Sequence, residues 1–566
     1  MSVSADSSPN WQQATTLDEL VAGPVVFKSG RRQLAVFRVE TAEGPTVYAV
    51  DNRCPHEGYP LAEGTVDESC QLTCNWHNWK FRLDDGQCVL GGDNLRRYDV
   101  RVESDGGVLV DLSEATPQQQ RAEILGGLQS AFRERDFGRI CREITRMHFC
   151  ELDPLDAVRE ALRWAHDRFE YGTTHAVAVA ADWVGLAQGY DDWERRLVCL
   201  AECVDHLAFD ALRHPEYGYP QASESEFSTG AFLAAVEAER LKEAEGLVVR
   251  GIDDGLNFDD MQQAFAGAAL AHYNDFGHSL IFVQKTGELI ERLGPEIQRW
   301  VLPPLARSLV FATREDQIPE FADYAATLES VRSLETATEA SGDLDGESLA
   351  GNGVRGCLAW TLDAISRVGP ERVERVERVE RVERVERVER VERVEKIYEV
   401  LFAASARQMV FYDTGFQDAF DRSVNDSVGW LSFTHALTFS HAVRTVCRRN
   451  PELWNEGLLQ MACFVGRNHK YQDRSLDAAA WQVEDSGAFL ETVHAVLLDH
   501  GLRDPIFSAH LVKTSLAIER ELDEASESTR GWLLSGLNRF LNSPLKQKHV
   551  RRLARQAIDL VGRDHE

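Results

Sequence analysis

Hydrophobic and polar residues follow two different patterns along this chain, and the change falls near residue 113. Before it, short runs rich in β-branched and aromatic residues are bounded by Gly or Asn, which is typical of strands. We therefore predict a small antiparallel β domain at residues 18–113, after a polar, disordered stretch at 1–17. The runs that predict strands are 25–27, 34–39, 46–50, 98–102 and 108–110.

Apolar residues recur at helical spacing through most of the remaining chain. A polar segment with a proline at 114–121 is predicted to be a linker. We predict a large, mainly α-helical domain at 122–566, and hence a multidomain α+β protein. The clearest helical windows are 122–137, 154–169, 193–212 and 232–247.

One helical stretch is of low complexity, because residues 371–394 repeat Glu-Arg-Val eight times. Each three-residue step falls about 60° short of a full turn, so the valines spiral around the helix without forming a lasting apolar face. Glu and Arg four residues apart form favourable pairs along such a helix. We predict one long solvated helix here, and a partner-binding role is the less favoured alternative.

Composition narrows the possible partners. The chain has 566 residues, a formal charge of −31 and a pI near 5.0, which disfavours nucleic acid and anionic membranes. No apolar stretch is long enough to predict a membrane-spanning helix, and residues 1–8 lack the pattern of a signal peptide. Eleven scattered cysteines without a paired framework indicate a reducing, cytoplasmic location.

Two Cys-His pairs near the amino terminus carry the clearest chemistry. They are Cys54-Pro55-His56 and, seventeen residues later, Cys74-Asn75-Trp76-His77. Two thiolates and two imidazoles match a Rieske 2Fe-2S centre, in which two Cys bind one iron and two His bind the other. A zinc site is the alternative, although zinc ligand pairs more often repeat Cys-x2-Cys or His-x3-His.

The segment from Thr73 to Gly86 resembles the second cluster loop of Rieske ferredoxins and Rieske oxygenases. That family usually has Gly where this chain has Asn78, so we expect an altered loop backbone, because Gly permits dihedral angles that other residues avoid. The resemblance implies a 2Fe-2S cluster that transfers single electrons, and a metal site formed by four ligands. These are Cys54, His56, Cys74 and His77.

The resemblance also suggests which Rieske subtype this is. Respiratory Rieske proteins have two further cysteines that bridge the cluster loops, and here Tyr59 and Trp76 stand in those positions. The subtype implied is the soluble ferredoxin or oxygenase type, with Trp76 and Trp79 shielding the cluster. Since no GxGxxG dinucleotide loop is convincing, we expect a separate reductase or ferredoxin as electron donor.

Recurrent histidines are the main signal in the helical part. His175, His278 and His435 each stand at the start of a similar apolar segment, which suggests related helical units or one shared inward-facing site. A single His on an apolar helix is more often a core residue than a ligand, but several facing one cavity would reverse that preference. The candidate catalytic residues are His175, His278, His435, His441 and His469.

The helical part also resembles a second family. The segment His435–Arg444 is similar to part of questin oxidase-like proteins, which are helical oxygenases of aromatic polyketides. This resemblance implies an oxygenase that acts on an aromatic substrate.

The identity of a second metal site stays open. The Asp/Glu-x2-His-x3-4-His motif of ordinary Rieske oxygenases is missing, since His206, Asp210 and His214 have the wrong spacing. A di-iron bundle and a two-His-one-carboxylate iron site are both compatible with carboxylate–His pairs on separate helices. Those pairs are Asp275 with His278, Glu491 with His494, and Glu202 with His206.

Two functions are compatible with these patterns. The first is an oxygenase-like oxidoreductase in which the cluster passes electrons to a helical catalytic domain that acts on a small apolar or aromatic substrate. The second is a non-catalytic electron-transfer or redox-sensing protein whose helical domain docks a partner. Metal content distinguishes them, because only a metal-dependent oxygenase would bind more metal than the cluster contains.

Overall fold

The chain forms two compact units, Met1–Ala157 and Val158–Glu566. The computed structural model describes residues 9–563 except 42–43, 212–213, 334–343, 345, 347–348, 350, 369–378, 424–425 and 427, and leaves the side chains of 368 and 379–393 undescribed. The first unit begins with small antiparallel sheets and the second is helical. The predicted multidomain α+β fold is therefore confirmed.

The described strands of the first unit form three antiparallel sheets, with strand orders β1-β11-β10, β2-β3-β4-β9 and β5-β6-β7-β8. The strands are β1 (Trp11–Thr16), β2 (Val25–Ser29), β3 (Arg32–Thr41), β4 (Gly44–Asp51), β5 (Thr65–Val66), β6 (Gln71–Thr73), β7 (Lys80–Arg82), β8 (Cys88–Leu90), β9 (Arg97–Tyr98), β10 (Val100–Val102) and β11 (Gly107–Asp111).

Strand β3 separates two apolar clusters. Leu34 and Val36 face one cluster, and Ala35 and Phe37 face the other, which also contains the two predicted ligand cysteines. Because side chains alternate between the faces of a strand, a strand buried on both sides must be apolar throughout. This explains the continuous apolar run in β3. Packing on both faces of β3 holds the sheet in place beneath the Cys-His loops.

The amino-terminal prediction of a disordered stretch at 1–17 is wrong for residues 11–16. They form β1, which pairs with β11 about a hundred residues later, so local composition does not reveal it. Residues Leu17–Val21 form a short helix, α1, rather than the start of a strand. Thr16 caps this helix and Glu19 completes a capping box, which stabilises its first turn. Residues 1–8 lie outside the described part.

The predicted linker is also partly wrong. Residues 117–121 open helix α2 (Pro117–Glu134), because Thr116 and Gln119 form a capping box and proline is favourable in a first helical turn. Helix α3 (Phe137–Phe149) follows. The buried Asp93 carboxylate forms an ion pair with Arg139 of α3 at 2.8 Å, and this contact ties the helices to the β sheets.

The helices of the second unit are joined by short 3-10 segments and loops. Helix α4 (Asp156–Ala165) begins at the boundary, and the others are α5 (His175–Gly189), α6 (Trp193–Ala211), α7 (Thr229–Glu237), α8 (Leu241–Asp253), α9 (Phe258–Ala271), α10 (His278–Leu293), α11 (Gln298–Phe311), α12 (Asp323–Arg332), α13 (Val354–Val368), α14 (Val379–Val410), α15 (Gly415–Asp418), α16 (Trp430–Arg449), α17 (Trp454–Asn468), α18 (Ser486–Leu498), α19 (Pro505–Leu522), α20 (Glu527–Asn542) and α21 (Val550–Arg563).

Four of these helices form a closed ring. Helix α5 packs on α10, α10 on α16, α16 on α19, and α19 returns to α5. Among the described residues, no helix has both the length and the apolar character needed to cross a bilayer. The ring brings the starts of α5 and α10 close to residues in the first half of α16 and α19.

The Glu-Arg-Val repeat is helical where the structure describes it, because residues 379–394 belong to α14. Residues 371–378 lie outside the described part. Val394, the last residue of the repeat, is buried, so the predicted solvation is wrong there. The other side chains of the repeat lie outside the described part, and for them the prediction stays untested.

Candidate functional site

The two Cys-His loops share one backbone conformation. In each loop the cysteine N–H donates to the carbonyl five residues later, and the cysteine carbonyl accepts from the N–H four residues later. The two distances are 2.8 and 2.7 Å at Cys54, and 2.7 and 2.9 Å at Cys74. Each loop therefore presents its Cys and its His from the same tight turn.

Asn78 keeps the backbone that a glycine would adopt. Its φ is +61°, and Gly58, the equivalent residue of the first loop, has φ +80°. Asn tolerates the left-handed region better than most residues because its short polar side chain makes local hydrogen bonds. The expectation that Asn78 alters the loop backbone is therefore wrong.

Substitutions at Asn78 should separate backbone strain from side-chain chemistry. We expect Asn78→Gly to keep the cluster as stable as in the unchanged protein, whereas Asn78→Val should destabilise the loop by about 1–2 kcal/mol because a branched side chain opposes positive φ. The temperature at which the visible absorbance of the cluster bleaches measures this. Equal bleaching temperatures for the two variants would show that φ at this position is unimportant.

The four predicted ligands lie together at the tips of these loops. Cys54 and Cys74 are 3% and 1% exposed, and burial raises the pKa of the Cys54 thiol to about 11. The Nδ1 atoms of His56 and His77 are 3.1 Å apart, with both rings at the more exposed side. Two buried thiols and two imidazoles that turn the same nitrogen toward one point fit a 2Fe-2S cluster with mixed ligands.

Aromatic side chains bridge and cover the loops. Tyr59 and Trp76, which occupy the positions of the bridging cysteines of respiratory Rieske proteins, contact each other edge to face with ring centroids 5.4 Å apart. Trp79 stacks on His56 at 4.8 Å, and Trp76 stacks on His77 at 5.6 Å while remaining 63% exposed. Aromatic packing, rather than a covalent bridge, thus connects the loops.

Comparison with known proteins identifies this unit. The family model of the Rieske [2Fe-2S] domain matches residues 10–98. The 3-phenylpropionate/cinnamic acid dioxygenase ferredoxin subunit of Escherichia coli (strain K12) is 34% identical over 86 residues, which are 15% of this chain and 76% of that protein. The chain belongs to the Rieske [2Fe-2S] family. The Rieske domain and its 2Fe-2S cluster account for the two Cys-His loops.

Other relatives match the same Rieske domain. Cholesterol 7-desaturase of Hemicentrotus pulcherrimus is 39% identical over 83 residues, and the match spans 14% of this chain but only 17% of that protein. The ferredoxin of carbazole 1,9a-dioxygenase from Nocardioides aromaticivorans IC177 is 30% identical, and the match covers 18% of this chain and 97% of that one, with a TM-score of 0.16. The resemblance of the helical unit to questin oxidase-like proteins stays a prediction.

A second cluster of histidines lies inside the ring of four helices. His175 begins α5, His278 begins α10, His435 lies in the second turn of α16, and His510 lies in α19. The candidate ligand atoms of the first three lie within 4.8 Å of one another. The His510 ring is 4.6 Å from His435 and 4.9 Å from His175, measured between centroids.

Hydrogen bonds orient two of these rings. His278 Nδ1 bonds to the carbonyl of Asp275, and His510 Nδ1 bonds to the carbonyl of Ile506 at 2.6 Å. Because a carbonyl only accepts, each Nδ1 carries the proton and each Nε2 keeps a lone pair. Backbone acceptors hold metal-binding histidines in this way in other proteins.

The Nε2 atoms of the four histidines face each other in pairs, each close enough for a hydrogen bond. His278 Nε2 lies 3.1 Å from His175 Nε2, and His510 Nε2 lies 2.8 Å from His435 Nε2. Two nitrogens bound to one ion at about 2.1 Å and at right angles are about 3 Å apart. The spacing within each pair therefore fits two imidazoles on a single metal ion.

The electrostatics also favour neutral, metal-binding imidazoles. Burial lowers the pKa of all four histidines, and the nearby Lys513 lowers it further at each of them. Neutral imidazole is the form that binds a metal. The Lys513 amine is itself buried, with no hydrogen-bond partner in the part of the chain that the structure describes, and burial lowers its pKa to about 7. A large fraction of the Lys513 amine is thus neutral near physiological pH, and the neutral amine has a lone pair.

The other predicted histidines lie elsewhere. His441 is six residues beyond His435 on α16, about 9 Å along the helix, and its Nδ1 is 2.7 Å from the Glu521 carboxylate. His469 begins a 3-10 segment after α17, and desolvation lowers its pKa. Neither belongs to the described histidine cluster, so their catalytic role stays a prediction.

The carboxylate-based metal sites considered from sequence do not form at this cluster. Its three-histidine group contains no carboxylate among the described residues, and Asp275 Oδ2 is 3.8 Å from the Nδ1 of His278, which is the nitrogen turned away from the other rings. His494 bonds to Tyr190 and Glu519, and Glu202 bonds to His206 and His500. The di-iron and two-His-one-carboxylate hypotheses are therefore not supported.

Sequence reasoning missed His510. Its segment, Ser508-Ala509-His510-Leu511-Val512, has a His in the second turn of an apolar helix, as His435 has in α16. A search for any His within an apolar helical window, rather than at its start, would have found it.

A cavity of about 450 Å³ reaches the histidine cluster at His175. Its volume lies within the range of small-molecule sites. The wall combines aromatic and aliphatic side chains, such as Phe169 and Phe209, with about as many polar and charged ones, such as Glu170 and Asp210. A small molecule with both an apolar face and polar substituents would match this lining.

Proposed function

We propose that this protein is an oxygenase-like oxidoreductase in which the Rieske cluster supplies electrons to a metal ion held in the helical unit. The ligands proposed are His175, His278, His435 and His510. The observation that carries the proposal is that His175, His278 and His435, from three helices, bring candidate ligand atoms within 4.8 Å of one another. His510 joins them from a fourth helix, with its Nε2 at 2.8 Å from that of His435.

The proposed metal is redox-active. Imidazole ligands suit iron, copper, nickel and zinc, but zinc cannot accept an electron, and a Rieske cluster has electrons to give. We propose iron, which when bound would supply the electron transfer to dioxygen that an oxygenase needs. The chain's own residues hold the ion, keep the four nitrogens deprotonated and shape the dry surroundings of the site.

The proposed substrate is a small apolar or aromatic molecule in the cavity at His175. The aromatic lining supports this choice, and the cavity volume excludes a large polymer chain. A separate reductase or ferredoxin is the proposed electron donor, with the exposed Trp76 and His77 edge of the Rieske domain as its docking point. We also propose a cytoplasmic location, in which the cysteines stay reduced.

Metal analysis of the full chain, purified without oxygen, tests the proposal. We expect about three metal ions per chain, two from the cluster and one from the histidine site. His510→Ala should reduce this to about two while the visible spectrum of the cluster stays unchanged. A content of two metal ions in both proteins would contradict the proposal and favour an electron-transfer or sensing role.

A further inference from the structure

His206 lines the cavity that reaches His175. The ring lies on α6, its side chain is 2% exposed, and its buried Nδ1 has no hydrogen-bond partner among the residues that the structure describes. A buried polar atom without a partner costs on the order of 1–3 kcal/mol. Such an atom at a cavity wall is positioned to bond to whatever occupies that cavity.

The other nitrogen of His206 is fixed by two neighbours. His206 Nε2 lies 3.2 Å from the Glu202 carboxylate, one helical turn earlier, and 3.0 Å from the Ser508 hydroxyl of α19. Burial tends to raise the pKa of Glu202, but hydrogen bonds from His206 and His500 outweigh it and lower the pKa to about 2. Because an ionised carboxylate only accepts, Nε2 carries the proton and Nδ1 keeps its lone pair.

We propose that His206 is the general base of this site, and that its Nδ1 takes the proton of an acidic hydroxyl, such as a phenol or an enol, on the bound substrate. The proposal rests on the proposed function in one respect, namely that this cavity binds the substrate. The substrate class it names is narrower: an apolar molecule with an ionisable O–H group facing α6.

The step is a proton transfer alone. The substrate O–H bond breaks, an N–H bond forms at Nδ1, and the electron pair stays on the oxygen. The imidazolium produced lies between the new oxyanion and the Glu202 carboxylate, and both anions stabilise it. Carboxylate–histidine pairs act as general bases in this way in many enzymes.

Other ionisable groups surround the same cavity and must be distinguished from His206. Asp210 and His214 follow it along the chain, Glu170 and His175 lie on the segment before and at the start of α5, and Asp504 precedes α19. His500 reaches Glu202 rather than the cavity lining, with its Nε2 at 3.3 Å from the carboxylate. Of the groups on this wall, His206 combines near-complete burial with a free acceptor and a fixed tautomer.

The ionisation of a coloured phenol tests the proposal without knowledge of the natural substrate. The probe is 4-nitrophenol, studied by difference absorbance about one pH unit below its own midpoint, where about a tenth of it is ionised in free solution. We expect the unchanged full chain to bind it with at least about half in the phenolate form, since an adjacent base shifts such a pKa by about one unit or more. In His206→Gln the ionised fraction of bound 4-nitrophenol should fall to its value in free solution, and in Glu202→Gln it should fall part of the way.

Two controls make the outcome decisive. His494→Gln changes another carboxylate-paired histidine, at a different cavity and with both ring nitrogens bonded, and should leave phenolate formation unchanged. The unchanged full chain prepared without a metal ion in the histidine cluster should also keep it, so the result does not depend on the metal. An unchanged far-ultraviolet circular dichroism signal would show that the helical unit of each variant is folded.

Three results would overturn the proposal. They are no binding of 4-nitrophenol at millimolar concentration, equal ionisation by His206→Gln and the unchanged protein, or ionisation that disappears when the histidine cluster holds no metal ion. The last would assign the effect to the metal site and leave the proposed function standing. If metal analysis found no third metal ion but ionisation still depended on His206, the proposed function would be refuted. The assignment of His206 as a general base would still stand.

Discussion

Replacing Cys74 by Ser is expected to remove the visible absorbance and the paramagnetic signal of the Rieske cluster and both of its iron ions. Cys74 is 1% exposed. Of the described cysteines in the two ligand loops, only Cys54 is also buried, and it is already a ligand, so no thiol can replace Cys74. Reductant-driven dioxygen uptake should fall to background, because electrons no longer reach the helical unit. Metal analysis, absorbance and an oxygen electrode measure the three effects.

Cys88→Ser is the matched control, since Cys88 is a partly buried free thiol on β8 in the same domain. It should keep both irons and full dioxygen uptake. The Cys74→Ser protein should also keep the metal ion proposed for the helical unit. Full retention of the cluster signal in Cys74→Ser would refute the ligand assignment.

His435→Ala is expected to remove the metal ion of the helical unit and leave the Rieske cluster intact. Changes even to groups that only support a metal ligand weaken metal binding by about 10- to 100-fold, so loss of a ligand should weaken it by at least about 100-fold. Dioxygen uptake should fall in proportion to the metal lost from the helical unit, while the absorbance of the Rieske cluster should stay the same. Metal titration and oxygen uptake measure the two effects.

His441→Gln is the matched control on the same helix, because His441 and His435 are both 8% exposed. Gln keeps a donor for the Glu521 carboxylate that His441 now contacts. We expect normal metal content and uptake, with at most a modest loss of stability. If both variants behaved alike, the histidine cluster would be a structural core.

The sequence predicts the Rieske site well because its information is local. Each ligand loop is a short turn whose Cys and His lie within three residues of each other, so spacing alone places the donors. The same locality explains β2 to β4, where apolar runs and turns alternate within thirty residues. It fails for β1, whose partner β11 lies about a hundred residues away.

The helical site is only partly predictable because it depends on packing between distant helices. A His at the start of an apolar helix suggested His175, His278 and His435, but nothing local showed that they meet. His510 completes the cluster from the fourth helix of the ring, and His441 has the same local pattern without reaching it. Only the helix contacts decide which imidazoles converge.

X-ray absorption at the iron edge of the Cys74→Ser protein, loaded with iron without oxygen, tests the central claim most directly. With the cluster gone, the remaining iron should show a first shell of imidazole nitrogens without sulfur, and His435→Ala in the same background should abolish it. Iron that is absent, or that is bound mainly by sulfur or by exposed carboxylates, would contradict a four-histidine metal site in the helical unit.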